Sequence, residues 1–379
     1  MKLTPFLLDQ WLNKYHFADQ PINYDLATST GPVFTLRDVL ELLNPDQQER
    51  LFSTPMLYCD AGGTSELREA IANMQNVDPA EVQIVTGAAE ALLILFFLAA
   101  EPGANVILPF PYFPPFDAVP RSLGLESRYY HLRREDDFRI DLNEITRNTD
   151  ANTKLILVNS PHNPTGSILG NDELLWLHDF AVERGIQLAV DEVYHPIYHG
   201  IENASAARLP HATVLGDFSK AFCLSGLRVG WILERNRHRM GQYNDARSYF
   251  TVSNTAMGEA LAVAAVEHRE VIFERVRRTS AANLAALNNF FTRVSDTAGW
   301  VSPKGGMTIF PWLRDGSDSR PFCEKLARQG VLVAPGDCFG MPSHFRLGFG
   351  ATEDGFTHAL MEIEALIRQD PATAAERSA

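Results

Sequence analysis

A chain of 379 residues with 45% hydrophobic and 21% charged residues has the composition of a globular protein with a large core, enough for two lobes. Its net charge of −14, with no basic block to offset it, argues against a nucleic-acid partner. The longest apolar run, 88–100, is too short to span a membrane and contains Glu90, and the N-terminus reads without a signal peptide. Cys59, Cys223, Cys323 and Cys338 form no CxxC pair and have no metal spacing, so they read as reduced thiols of a cytoplasmic protein without a metal.

The first 40 or so residues precede the regular pattern and are expected to pack with the C-terminal part of the chain. Residues 66–73 predict a helix, and 83–86 a short strand. Gly87 opens a helix to about residue 100, and a strand at 105–108 follows the Pro102-Gly103 turn. The apolar strand 155–158 ends at Asn159-Ser-Pro-His-Asn-Pro. An amphipathic helix is expected over 173–184, then strands at 187–191, 213–216 and 229–233. Strands alternating with helices imply an α/β fold with a mostly parallel sheet covered on both faces. From about Arg235 helices dominate, including a bent or broken stretch over 255–291, with short strands near 307–312 and 345–349. The expected division is a large α/β domain over 46–234 and a small α+β domain built from 1–45 and 235–379. The tail 370–379 is Ala-rich and polar and is expected to fray.

Ligands of open α/β sheets bind beyond the carboxyl ends of the strands, where the candidate residues fall. Lys220 lies in Asp-Phe-Ser-Lys-Ala-Phe-Cys-Leu-Ser-Gly-Leu-Arg-Val-Gly-Trp, after an apolar run and before a Gly-x-Arg-x-Gly turn. A desolvated lysine near other cations has a lowered pKa and attacks carbonyls, and pyridoxal phosphate (PLP) offers a suitable aldehyde. Arg228 would then meet the phosphate. Asp191, at a strand's carboxyl end, would hold a proton on a pyridine nitrogen; the alternative is a helix N-cap. Tyr194 would share its face and bond a ring oxygen, although alone it reads as a half-buried core tyrosine. Asn163, in a stiff loop between Pro161 and Pro164, would bond the same oxygen or simply make a tight turn; both prolines are candidates for cis bonds. His162 reads as structural. Gly87, Ala88 and Ala89 start a helix whose free N–H groups suit an anion. Tyr112, on a Pro-rich turn, would stack on an aromatic ring or plug the core. Arg346, between apolar neighbours, requires an anion: a substrate carboxylate, or a structural salt bridge.

In this order Tyr58-x4-Gly63-x3-Leu67-Arg68, Gly87-Ala-Ala, Tyr112, Asn163-Pro-Thr-Gly, Asp191-x2-Tyr194, Ser219-Lys220, Arg228 and Arg346 resemble the aminotransferase class I/II family, the fold-type I PLP enzymes, over about residues 31–366. The resemblance implies a small-molecule amino-acid substrate and pyridoxal 5'-phosphate as cofactor. It makes Lys220 the Schiff-base lysine and proton carrier, with Asp191 on the pyridine nitrogen and Asn163 and Tyr194 on the ring oxygen. Tyr112 then stacks on the ring, Gly87, Ala88, Ala89, Ser219 and Arg228 form the phosphate site, and Arg346, with Asn163, binds the substrate carboxylate. Tyr58 is implied to reach the phosphate of a second subunit, hence a homodimer with the active site at the interface. Asp217 departs from the family's usual Ser or Thr, and a carboxylate there must be protonated, turned away or paired with Arg228.

Transamination is the default reaction of that family. Leu8-Asp-Gln-Trp-Leu, Pro303-Lys-Gly-Gly-Met-Thr-Ile-Phe-Pro and Gly330-Val-Leu-Val-Ala-Pro-Gly-Asp-Cys-Phe-Gly also resemble the capreomycidine synthase branch, whose members eliminate the hydroxyl of a β-hydroxylated arginine and close a ring. A PLP-binding regulator without turnover fits less well, since no DNA-binding extension is present.

Overall fold

The computed structural model describes residues 3–18 and 21–369, so the tail expected to fray lies outside the described residues. The buried strands form one seven-stranded sheet in the order Val82–Val85, Gly230–Leu233, Ala212–Asp217, Gln187–Asp191, Thr153–Asn159, Asn105–Phe110, Glu126–His131. Gly230–Leu233 runs antiparallel to both neighbours; the other pairings are parallel. Ile156 and Val158 enter one core while Leu155 and Leu157 enter another, as a period of two requires of a sheet buried on both sides. Helices Gly87–Ala99, Pro115–Ser122 and Arg237–Phe250 supply one core, and Ser65–Gln75, Asn171–Arg184 and Ala256–Glu267 supply the other.

The stretch expected to bend over 255–291 is two helices, Ala256–Glu267 and Arg269–Arg293, separated by His268 at φ −109° and ψ 18°. The strand Glu126–His131 has no apolar run to announce it. It is the sheet's edge, and its one fully buried side chain is Tyr130, whose hydroxyl donates to Leu157 O at 3.1 Å.

The chain's start does pack with its end. Tyr24–Asp25 pairs in parallel with Val331–Leu332, and Trp11 Nε1 donates to Val333 O at 2.9 Å. Phe345–Gly348 is the middle of a three-stranded antiparallel sheet between Thr308–Ile309 and Ala334–Pro335. Among the described residues no helix is long and apolar enough to cross a membrane.

Candidate active site

The carboxyl ends of the central strands carry the site. Gln187–Asp191 delivers Asp191, which is 4% exposed, and burial pushes its carboxyl up to about 7 despite the Val193 N–H donated to Oδ1 at 3.2 Å. Residues 193–196 form a turn rather than a turn of helix, and Tyr194 lies buried in it. Its hydroxyl has no hydrogen-bond partner, and burial pushes it up to about 12. The neighbouring strand Thr153–Asn159 ends in Asn159, whose side chain accepts the Asn163 N–H at 2.7 Å and donates to Asp191 O at 3.1 Å. This fixes the loop carrying Asn163 against the end of the Asp191 strand. Ser160–Pro161 and Asn163–Pro164 are both cis. His162 is buried and bonded to Thr165 Oγ1 at 2.9 Å, as its structural reading implies.

Lys220 follows the strand Ala212–Asp217, and its Nζ donates to Ser29 Oγ at 3.0 Å. Burial lowers its pKa to about 8; Asp217 and Asp191 oppose the shift, while Arg346 and Arg228 add to it. At neutral pH such an amine is partly unprotonated, as a nucleophile requires. Arg346, in Phe345–Gly348, is 2% exposed. It donates through Nη1 to Asn163 Oδ1 at 3.1 Å and through Nη2 to Ala27 O at 2.5 Å, while its Nε is buried without a partner. The bonds it makes go to an amide and a carbonyl, both uncharged, and Asp25 is the carboxylate whose charge acts on it.

The strand Val82–Val85 turns into the helix Gly87–Ala99 at Gly87, where φ is +71°. A Cβ there would lie 2.6 Å from Arg228 Nη2, and a Cβ on Gly230 would lie 2.8 Å from Gly87 C. The missing side chains let the helix start, with the orphan N–H groups of Ala88 and Ala89, sit directly beside the Arg228 guanidinium. Gly87→Ala should displace that guanidinium and force a left-handed alanine, weakening phosphate-ester binding about tenfold or more; equilibrium titration with PLP checks this.

Asp217 is turned onto its own loop: Oδ1 accepts the Ser219 N–H at 2.9 Å, and the Arg228 guanidinium bonds Ser225 O at 3.3 Å. Ser219 is buried beside it. Tyr112 is half-buried and packs on Tyr129 and Phe110, and Tyr58 is 86% exposed in a loop with Met56 and Leu57. Gly305, in the Pro303-Lys-Gly-Gly segment, would strike Pro161 with a Cβ at 2.6 Å, and Gly306 faces the Tyr194 ring.

Sequence reasoning missed Ser29 and Ala27. They belong to a run of small residues with no motif, and they reach the site from 191 and 319 positions away.

The residues present suit PLP: an unpartnered phenol, a half-free guanidinium, a buried carboxyl and a lysine of lowered pKa surround one region, with a glycine-cleared helix start and a second arginine beside it. A family model described as aminotransferase class I and II matches residues 23–363. The chain belongs to this family. Among aminotransferase-family relatives, capreomycidine synthase of Streptomyces vinaceus is 28% identical over 94% of this chain and 92% of its own. The aspartate aminotransferase of Pyrococcus abyssi is 29% identical over 82% of this chain and 84% of its own. A PLP-dependent aminotransferase structure from Streptococcus suis superposes with a TM-score of 0.91 at 26% identity, covering 97% of this chain and 99% of that one. A PLP-dependent cyclase shares the fold at a TM-score of 0.88 and 24% identity, over 97% and 98% of the two chains. The chain is thus an enzyme of the aminotransferase family, on a scaffold that also carries a cyclase.

Proposed function

We propose that the protein is a PLP-dependent enzyme acting on an L-α-amino acid through Lys220, and that its reaction is amino transfer. The observation that carries this reading is Lys220: a desolvated amine on the sheet's carboxyl edge, held by Ser29 and close enough to Asp191 and Arg346 for their charges to set its pKa. PLP supplies an electron sink for the charge left when the substrate's Cα–H bond breaks. Lys220 would take the proton from the substrate Cα and pass it to the cofactor carbon, which suits an amine with a pKa of about 8. Asp191, held near 7 by burial, would share a proton with the pyridine nitrogen, and the partnerless Tyr194 hydroxyl and the Asn163 amide would donate to the ring oxygen. Ala88, Ala89, Ser219 and Arg228 would hold the phosphate, and Arg346, whose Nε has no partner, the substrate carboxylate. Tyr112 would cap the ring. The exposed Phe52, Met56, Leu57 and Tyr58 would face a second copy, carrying Tyr58 to that copy's phosphate site. The two-lobe division at about residues 46 and 234 is part of this reading, as is a cytoplasmic location.

A second reading, elimination and ring closure on a β-hydroxylated arginine, is favoured by the S. vinaceus relative, whose similarity extends over 94% of the chain. Product mass separates the two. Incubation with L-amino acids, including arginine and β-hydroxyarginine, should release a 2-oxo acid. A product that loses water and keeps its α-nitrogen would replace transfer by cyclisation.

The Lys220 pKa also sets a pH dependence. Capture of PLP by the cofactor-free protein should accelerate as pH rises and level off above about 8. Asp217 is the largest charge holding that pKa up, so in Asp217→Ser the inflection should move to lower pH; stopped-flow mixing across pH 6 to 10, an interval of roughly two units on either side of the expected midpoint, reads both.

A further inference from the structure

Arg247 is 0% exposed in a helix whose other charges face solvent or its rim. No part of the site described above uses it. Its Nη1 donates to Ala61 O and its Nη2 to Asn254 Oδ1, and its Nε lies 3.6 Å from Glu90 Oε2. Each partner holds a different piece of the phosphate region. Glu90 Oε2 accepts the Thr86 N–H at 2.5 Å, at the turn that opens the Gly87–Ala99 helix. Asn254 Nδ2 donates to Arg228 O at 2.8 Å and to Val85 O at 3.3 Å. Ala61 lies in the 58–64 loop, which carries exposed Tyr58, and Gln83 Nε2 donates to the same carbonyl at 2.7 Å. Buried Glu259 accepts the Thr64 N–H at 2.7 Å in that loop, and its charge acts on Arg247 together with that of Glu90.

The backbone at Arg228 explains why such a hub is needed. Arg228 is left-handed, at φ 52° and ψ 44°, a conformation a non-glycine residue holds only when its surroundings impose it. The Asn254 bond to its carbonyl is one such restraint, and Arg247 in turn fixes Asn254. We propose that Arg247 is a positioning residue of the cofactor site, a buried cation that ties the 86–90 turn, the Arg228 backbone and the 58–64 loop together and so sets the phosphate cradle. The proposal rests on the reading that this turn and Arg228 hold a phosphate.

The test compares PLP with pyridoxal, which lacks the phosphate, by equilibrium titration of the cofactor-free protein, with thermal midpoints measured alongside. Arg247→Lys and the milder Asn254→Ala should each weaken PLP binding about tenfold or more and leave pyridoxal binding within about twofold. Arg239→Met, which removes an arginine of the same helix from its 2.8 Å pair with Glu234, is the control: it should lower the thermal midpoint and leave the ratio unchanged. If wild type binds both compounds equally, the phosphate reading itself fails. If wild type prefers PLP and both cradle variants keep that preference, Arg247 is only a core residue and the proposal is overturned.

Discussion

Lys220→Ala should lower turnover by at least about 10⁴-fold, the upper range for removing a general acid–base group, because the same side chain is also the nucleophile. The loss is expected without unfolding. Lys220 Nζ bonds the Ser29 hydroxyl, and truncation removes that contact without stranding a buried charge. The decisive readout is chemical. Borohydride treatment of the PLP-loaded wild type should attach the cofactor irreversibly to the peptide containing residue 220, seen by mass spectrometry. The variant should bind PLP but gain no covalent mass. Attachment elsewhere, or undiminished turnover, would remove Lys220 from the chemistry.

Arg346→Ala should be the second most damaging change, lowering kcat/KM about 10²- to 10³-fold, as expected for loss of a desolvated, charge-assisted grip on a carboxylate. Most of the loss should fall on KM. Two further consequences follow from its neighbours: Asn163 Oδ1 and Ala27 O lose their donor, so the loop over the Asp191 strand loosens as well. Arg346→Lys should recover little, since an ammonium on a flexible stem cannot reproduce a fork that bonds Asn163, Ala27 and an anion together. Amines without a carboxylate provide the control: their slow reaction, followed by loss of the amine, should fall only by the share due to the loosened loop, far less than the reaction of amino acids. A drop for these amines equal to that for amino acids would mean that Arg346 holds the loop and not the substrate.

The sheet and the residues at its strand ends were legible because each is announced locally. Apolar strands ending in Asp191 or Asn159 state where the carboxyl edge lies, and Lys220 and Arg228 stand in a glycine-punctuated turn. Arg346 was legible through its apolar neighbours. The edge strand Glu126–His131 was not, since one buried side chain in six gives no period. Arg247 was hidden by its own helix, a polar stretch that reads as solvated while one of its arginines lies in the core. Ser29 and Ala27 were illegible for another reason: their roles come from contacts across most of the chain, and nothing in Ala27-Thr-Ser-Thr-Gly marks them.

Those two long-range contacts also order events at the ribosome. At about 5–20 residues per second, Ala27 is made roughly 15–60 s before Arg346, which lies 319 positions later. During that interval the central strands can emerge and pair, but the segment that steadies both Lys220 and Arg346 has only half its partners. A nascent chain stalled before residue 345 would hold a finished sheet and an unfinished grip. The grip of Arg346 on Ala27 is therefore among the last contacts of this region to form during synthesis.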